Sequence, residues 1–251
     1  MESLSGQYGG VEGTFGRRCG QRRRVAVAVA AMTALAGGAC GSGGSDQVVA
    51  GGAGPTTAIE QDRVTAMRYL LSPADVPNLP PGAPSLYDRF YARCGVDPLM
   101  PGGDDPRQAP PVGFVKDDSA EVKRAQTTTV GSYSVVAPNE EAAKVVIATL
   151  RSPEFRTCFE RELRNAVNTA VGRQVVVGTA SADLAKPVLG DEALAFRTTL
   201  SGPSGAYQTF DLTTVRRGRA LVSVTTGRLG TSVFPDDERI RLVRLVAGRM
   251  G

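Results

Sequence analysis

The sequence predicts an α+β fold in which amphipathic helices pack on an antiparallel β-sheet. Three observations support this prediction. Segments rich in Val, Thr and aromatic residues recur through the C-terminal half, amphipathic segments with clear start signals lie among them, and a short Gly-bearing connection joins two of the strand candidates. The 251 residues suffice for one domain with appendages.

Residues 1–39 are predicted to form an export signal peptide. Five arginines between positions 17 and 24 precede an apolar run over residues 25–36, which is the order typical of such signals. A helix of that length would span only about 18 Å of the roughly 30 Å hydrocarbon core, so a permanent transmembrane helix is not expected. The arginine pairs leave the general secretory and twin-arginine export routes both open.

Cys40 is the predicted lipidation site. The motif ALA at 34–36 fits ordinary signal peptidase, whereas GGAC at 37–40 resembles a lipoprotein lipobox in which Gly37 replaces the usual Leu. Cleavage after Ala36 would leave Cys40, Cys94 and Cys158 and hence one free thiol, whereas acylation of Cys40 leaves an even pair. We therefore expect a lipid anchor on the outer face of the cytoplasmic membrane, with secretion as the alternative.

Residues 40–60 are predicted to be the lipidated cysteine and a flexible tether, and residues 61–251 the folded domain. The tether is mainly Gly, Ser, Ala and Thr, with too few large apolar side chains to offset the entropy of ordering. Ten of the sixteen prolines lie between residues 73 and 111, which predicts a loop-rich start of the domain with short helices, one of them at 86–94.

One strand and two helices are predicted next. Residues 127–137 are rich in Thr and Val and end before a proline, as a strand does. Asn139 is a suitable N-cap for a helix through Leu150, and Ser152-Pro153 has the start signal of a second helix. In the second helix, apolar residues at steps of three and four predict one buried stripe: Phe155, Cys158, Phe159, Leu163, Ala166, Val167 and Ala170.

Four strands and a closing helix complete the predicted domain. The strand candidates are residues 174–179, 193–200, 207–216 and 219–226, and the last two are joined at Arg217-Gly218 as a hairpin. The closing helix, residues 235–250, begins with three acidic residues, which the helix dipole favours. Its predicted buried face consists of Ile240, Val243, Ala247 and Met250.

Cys94 and Cys158 are predicted to form a disulfide. The bond would close a loop of 64 residues, which on the chain-entropy model stabilises the fold by roughly 4 kcal/mol. Export provides the oxidising compartment. Two separate buried thiols are the alternative, and a zinc site is not expected because two cysteines without histidine cannot complete its tetrahedron.

The absence of histidine excludes several kinds of active site. Ser-His-Asp and Cys-His catalysis and metal sites with imidazole ligands all require it. The sequence has no Gly-x-Ser-x-Gly motif and no phosphate-binding loop, so we expect no catalytic residue, cofactor or metal. From Cys40 onward, 24 basic residues face 23 acidic ones, a balance that argues against binding to nucleic acid.

Two groups of charged residues have a functional and a simpler interpretation. The acidic pairs at 104–105, 117–118 and 236–237 could hold calcium or act as carboxylate dyads, but they lie in turns or at a helix start and lack the spaced ligands of a calcium loop. Arg216, Arg217 and Arg219 could bind an anion, but at a hairpin tip we expect them to be solvated edge charges.

Three segments in this order resemble a known family: TTTVGSYSVVAPNEEAAKVVIATLRSPEFRTCFERELRNAV from residue 127, GDEALAFRTTL from residue 190 and DLTTVRRGRALVSVTT from residue 211. They resemble the extracellular sensor domain of PknH-type serine/threonine kinases, which also occurs without a kinase in cell-envelope lipoproteins of high-GC Gram-positive bacteria. The likeness covers roughly residues 68–250. It implies an α+β fold whose sheet and helices frame a cleft for an extracellular ligand. These 251 residues contain no kinase domain, and they allow one bridge where the family often has two.

Together these features predict a noncatalytic ligand-binding or sensor-like module, held on the membrane by its lipid and facing an unknown extracellular ligand or envelope protein. One alternative is a cell-envelope enzyme that uses paired carboxylates or a Ser-Lys pair in place of histidine. Another is a protein-docking adaptor. A Ser-Lys pair would have to use one of four lysines: Lys116, Lys123, Lys144 or Lys186.

Overall fold

The computed structural model describes residues 55–82, 93–95, 99–100, 104–117, 127–203, 205–230 and 232–251. The predicted signal peptide (residues 1–39), Cys40 and residues 86–92 of the predicted short helix lie outside the described residues. The described residues form four α-helices and seven strands. In chain order these are α1 (Pro55–Arg68), β1 (Pro81–Gly82), β2 (Val112–Asp117), β3 (Thr127–Val136), α2 (Glu140–Arg151), α3 (Pro153–Val171), β4 (Gly178–Asp183), β5 (Glu192–Gly202), β6 (Gly205–Arg217), β7 (Ala220–Leu229) and α4 (Asp236–Gly248).

The strands form one antiparallel sheet in the order β1-β2-β3-β7-β6-β5-β4, so the predicted α+β class is confirmed. The long strands β3 and β7 lie at its centre. The predicted hairpin is also confirmed: β6 and β7 pair up to Arg217 and Ala220, and Gly218 has a φ of 54°, which a residue without a side chain adopts at no steric cost.

Helices α2 and α3 cover one face of the sheet. The Asn139 side chain accepts a hydrogen bond from the Ala142 amide, and the Ser152 side chain accepts one from the Phe155 amide, so both predicted N-caps are confirmed. The core beneath these helices includes a cluster of four aromatic rings with neighbouring centroids 5.6 to 6.5 Å apart: Phe155, Phe159, Phe196 and Phe210.

Helix α4 and the chain that follows α1 cover the opposite face. Val130, Val222 and Val224 of the sheet pack against the buried side of α4, while Val136 packs against the end of α1. Side chains two residues apart on a strand point to the same side, so Val130 and Val136 show that both layers lie on one face. None of the described helices has the length and hydropathy needed to span a bilayer.

Two boundaries and one buried face differ from the prediction. Residues 55–60, which we placed in the tether, belong to α1. Strand β4 is Gly178–Asp183 instead of 174–179, because the Asn168 side chain binds the Val175 and Val176 amides, each at 2.8 Å, and so holds these valines before the strand. On α4 the predicted Val243, Ala247 and Met250 are buried, whereas Ile240 is only half-buried, and the buried face also includes Arg239, Leu242 and Val246.

Candidate functional site

A groove lies on the α4 side of the molecule, between the end of α1, the turn that follows it, the start of β2 and the end of α4. We call it the α1–α4 groove. Its volume is about 470 Å³, within the roughly 300–1,000 Å³ typical of small-molecule sites. It is lined by Met67, Arg68, Leu70, Leu71, Ser72, Pro73, Pro110, Val112 and Arg249.

The floor of the groove is fixed by the turn after α1. The Leu71 amide donates to the Ser132 hydroxyl of β3 at 2.8 Å, which holds the buried side chains of Leu70 and Leu71 against the sheet. Ser72 then opens a 3₁₀ turn with Pro73 at its first position, where a missing amide proton costs no hydrogen bond. After α1 the chain therefore runs along the sheet, and the groove above it stays open.

A partly buried ion pair lies at the α4 end of the groove. Arg249, just after α4, donates from Nη2 to both carboxylate oxygens of Asp75, at 2.7 and 2.8 Å, and from Nη1 to the Leu70 carbonyl. The Asp75 side chain is 9% exposed. We call this pair the Asp75–Arg249 clasp; it ties the C-terminal helix to the turn that forms the groove floor.

Asp75 also binds Ser72, whose amide and hydroxyl donate to Oδ2 at 2.6 and 2.9 Å. Burial alone would raise the pKa of Asp75, but the hydrogen bonds from Arg249 and Ser72 outweigh burial and hold the pKa below its ordinary value. A carboxylate with a lowered pKa is a poor base, so this Ser-Asp pair is unsuited to removing the hydroxyl proton. The hydrogen bonds between Ser72 and Asp75 instead stabilise the 3₁₀ turn.

The rim of the groove carries one cation whose charge no described residue compensates. Arg68, the last residue of α1, is exposed, and its side chain makes no hydrogen bond or ion pair with any described residue. Beside it, Met67 is 49% exposed, and Val64, one turn earlier on α1, is 40% exposed. The groove thus combines a mostly apolar lining with the guanidinium of Arg68, which is available to a ligand.

A second charged cluster lies on the other sheet face, at the β6–β7 hairpin. The Arg216 side chain is 5% exposed and contacts the carboxylates of Glu140, Asp191 and Glu192 at 3.3, 3.1 and 3.0 Å. The prediction that Arg216 is solvated is therefore wrong, because the start of α2 and the turn before β5 bring carboxylates over it. Its hydrogen-bonding capacity is used within the fold, which leaves little for an external anion.

The other two predicted hairpin arginines remain at the surface. Arg217 is half-buried, while Arg219 is exposed and pairs with Asp62 of α1 at 2.6 Å. This pair connects the hairpin to the helix that carries the groove rim. It has the geometry of a surface ion pair, which contributes little to stability.

A third charged cluster is buried on the α4 face, and no local sequence pattern predicts it. Arg197 donates to both oxygens of Asp211, at 2.6 and 2.7 Å, and Arg239 donates to the Thr213 hydroxyl at 2.9 Å. The hydrogen bond with Asp211 raises the pKa of Arg197, although burial opposes it. These groups satisfy one another, as buried charges must, and fix the start of α4 on the sheet.

The structure joins Cys94 and Cys158 in a disulfide, which confirms that prediction. Of the four lysines considered for a Ser-Lys pair, Lys144 contacts Glu140 and Glu141 on the exposed surface of α2, and Lys123 lies outside the described residues. Of the acidic pairs, Asp105 contacts Arg107. Within the described ranges, His, Cys, Asp and Glu side chains form no group of three or more that could hold a metal ion.

The groove residues could not be identified from the sequence. They come from three segments, near residues 67–73, 110–112 and 249, that are far apart along the chain. None carries a motif, and each is explained locally as a helix end, a proline-rich turn or a terminal basic residue. Only the sheet brings them together.

No protein-family profile matches the chain, and no curated protein matches it. Among solved structures, the extracellular domain of PknH from Mycobacterium tuberculosis is similar with a TM-score of 0.40 and 12% sequence identity. The match covers 75% of this chain and 96% of that one. The structural similarity to the family named in the sequence analysis is therefore weak.

Proposed function

We propose that this protein is a lipid-anchored, noncatalytic module of the cell envelope that binds a ligand in the α1–α4 groove on the outer face of the cytoplasmic membrane. The single observation that carries the binding role is the groove itself: an open, mostly apolar cavity of about 470 Å³ with one available cation, Arg68, at its rim. Pockets of this composition are the common form of small-molecule site.

The proposed location rests on the cysteines and the N-terminal sequence. A disulfide between Cys94 and Cys158 suits an oxidising compartment outside the cytosol. Cys40 follows an export-like segment, and acylation would remove the one thiol that the disulfide leaves unpaired after cleavage of the leader. The Gly-rich residues after it would allow the domain to stand clear of the membrane surface.

A substitution at Cys40 tests the anchor. The wild-type protein should partition with detergent-extracted membranes and carry the mass of acyl chains, whereas Cys40→Ala should appear in the medium without that mass. Cys19→Ala is the matched control, because Cys19 lies in the predicted leader and should change neither property. Retention of Cys40→Ala on the membrane, or an unmodified leader on the wild-type protein, would refute the anchor.

Native mass spectrometry of the Cys40→Ala protein purified from its own host tests the binding role. We expect a retained small molecule on the folded protein that is lost on denaturation. Turnover of envelope substrates that depends on one of the lysines or carboxylates would favour the enzyme alternative, and stoichiometric capture of one envelope protein, with no small molecule retained, would favour the adaptor.

A further inference from the structure

The polar groups of the α1–α4 groove are almost all engaged within the protein. Arg249 is held by Asp75 and by the Leu70 carbonyl, and the Ser72 hydroxyl donates to Asp75. The remaining side chains of the lining, Arg68 apart, are Met, Leu, Pro and Val. A ligand in this groove therefore meets a hydrocarbon surface with little to accept or donate a hydrogen bond.

This composition favours an acyl chain over a peptide. A peptide brings an amide donor and acceptor with every residue, and each polar group buried without a partner costs free energy. An acyl chain has no such groups, so its burial gains the hydrophobic term without that cost. The modest volume, near the low end for ligand sites, suits one chain better than the two of a phospholipid.

The charge at the groove selects the head group. Within the clasp, the charges of Arg249 and Asp75 offset each other. Arg68 adds one positive charge that no described residue compensates. A guanidinium binds a carboxylate through two parallel hydrogen bonds, so an anionic head group complements this rim, and a neutral one does not.

The predicted tether would hold the groove near a source of such molecules. Residues 41–54 separate Cys40 from Pro55, the first residue of α1. A Gly/Ser-rich tether of that length, as the sequence predicts, would have a mean span on the order of 20 Å, and α1 is about 21 Å long. If Cys40 is acylated, as the proposed function holds, the groove operates within a few nanometres of the membrane surface.

We propose that the α1–α4 groove binds a single-chain anionic amphiphile of the long-chain fatty acid class. The acyl chain lies along Met67, Leu70 and Leu71, and the carboxylate contacts Arg68. This inference rests on the proposed binding role and adds the class of ligand. It does not require the anchor, because the described residues that line the groove belong to the folded domain.

Binding of cis-parinarate, a fluorescent long-chain fatty acid, to the exported Cys40→Ala protein tests this inference without interference from the protein's own acyl chains. We expect saturable binding of one molecule per protein, seen as a rise in fluorescence. Arg68→Glu should weaken it at least tenfold, the factor that corresponds to about 1.4 kcal/mol. Arg173→Glu is the matched control, since Arg173 is an exposed arginine elsewhere on the domain, and should leave the affinity unchanged.

Two further comparisons separate charge from burial. The methyl ester of the probe, which has no charge, should bind with the same affinity to Arg68→Glu and to its parent. Met67→Gln should weaken the acid and the ester alike, whereas Val145→Gln, at an exposed valine of α2, should weaken neither. All four sites are exposed, so the variants should melt at the parent temperature.

Absence of saturable binding, or equal affinity of Arg68→Glu and its parent for the acid, would overturn the inference. Equal affinity of the parent for acid and ester would overturn the role of Arg68. Failure of the anchor gives a different result, because a Cys40→Ala protein that stays on the membrane refutes acylation whether or not parinarate binds. Retention of another small molecule, with no parinarate bound, would leave a binding module whose ligand is not a fatty acid and would refute this inference alone.

Discussion

Replacing Arg249 with Met should destabilise the domain by breaking the Asp75–Arg249 clasp. Methionine keeps an unbranched apolar stem of similar reach and removes the guanidinium, so the change isolates the polar contacts. Three hydrogen bonds are lost, two to the Asp75 carboxylate at 2.7 and 2.8 Å and one to the Leu70 carbonyl. These bonds connect Arg249, at the end of α4, to the groove floor.

The magnitude follows from burial. A hydrogen bond to a charged group contributes roughly 1.5–3 kcal/mol, and breaking a fully buried ion pair costs roughly 3–5 kcal/mol. The Asp75 side chain is 9% exposed but that of Arg249 is 31% exposed, and Ser72 still donates to Asp75 after the substitution. We therefore expect a loss of about 2 kcal/mol in the free energy of unfolding.

The effect should depend on pH with a defined sign. The pKa of Asp75 is lower in the folded state than in the unfolded state, where it is about 3.9. Its contribution to stability is therefore complete above about pH 4 and is lost as the pH falls through the folded-state value. Without Arg249 the pKa of Asp75 in the folded state is lowered less. The free energies of unfolding of wild type and variant should therefore differ most at neutral pH and less near about pH 3.

Urea titrations followed by far-ultraviolet circular dichroism at the two pH values provide the measurement. Arg244→Met is the matched control, because Arg244 is exposed on the same helix and has no partner among the described residues; its effect should stay within about 0.5 kcal/mol. A loss below about 0.5 kcal/mol for Arg249→Met at neutral pH, or one that does not shrink on acidification, would refute the structural role given to the clasp.

Three further predictions concern the fold. Replacing both Cys94 and Cys158 with Ser should lower the free energy of unfolding in urea by about 4 kcal/mol, because the bridge closes a loop of 64 residues, and reduced wild type should match that variant. Gly190→Ala should lower the stability measured by thermal unfolding by about 2 kcal/mol more than Gly172→Ala. Both glycines have positive φ, but a Cβ at position 190 would lie 2.3 Å from the Arg216 carbonyl oxygen, whereas a Cβ at position 172 has no atom within 4 Å. Arg216→Met should lower the urea midpoint by an amount equivalent to about 3 kcal/mol, and a loss under about 1 kcal/mol would contradict its role between three carboxylates.

Elements with a local signal were predicted well. Asn139 and Ser152-Pro153 mark the starts of α2 and α3 because capping depends on side chains within three residues. The β6–β7 hairpin follows in the same way from a glycine that adopts positive φ. In each case the stabilising contact lies within a few positions along the chain, where sequence patterns are informative.

Features that depend on distant contacts were not predicted. The start of α1 was assigned to the tether because its Thr and Ala residues resemble those before it, and the helix packs on β3, more than sixty residues away. Arg216 was expected in solvent because its hairpin tip resembles any other, whereas the carboxylates around it come from α2 and from the turn before β5. Position 239 illustrates the same limit, since an arginine on a buried stripe requires a partner that only the fold supplies.

The two arginines of the α1–α4 groove show why its chemistry required the structure. In the sequence, Arg68 and Arg249 are equivalent basic residues near helix ends, and either could serve an external anion. The fold distinguishes them: Asp75 neutralises Arg249, and burial of that carboxylate makes the pair necessary to the fold. Arg68 receives no such partner among the described residues, so it is the one whose charge remains available to a ligand. Substitution of Arg249 should therefore act first on stability, and substitution of Arg68 on binding alone, so that the two positions separate the fold of the groove from its function.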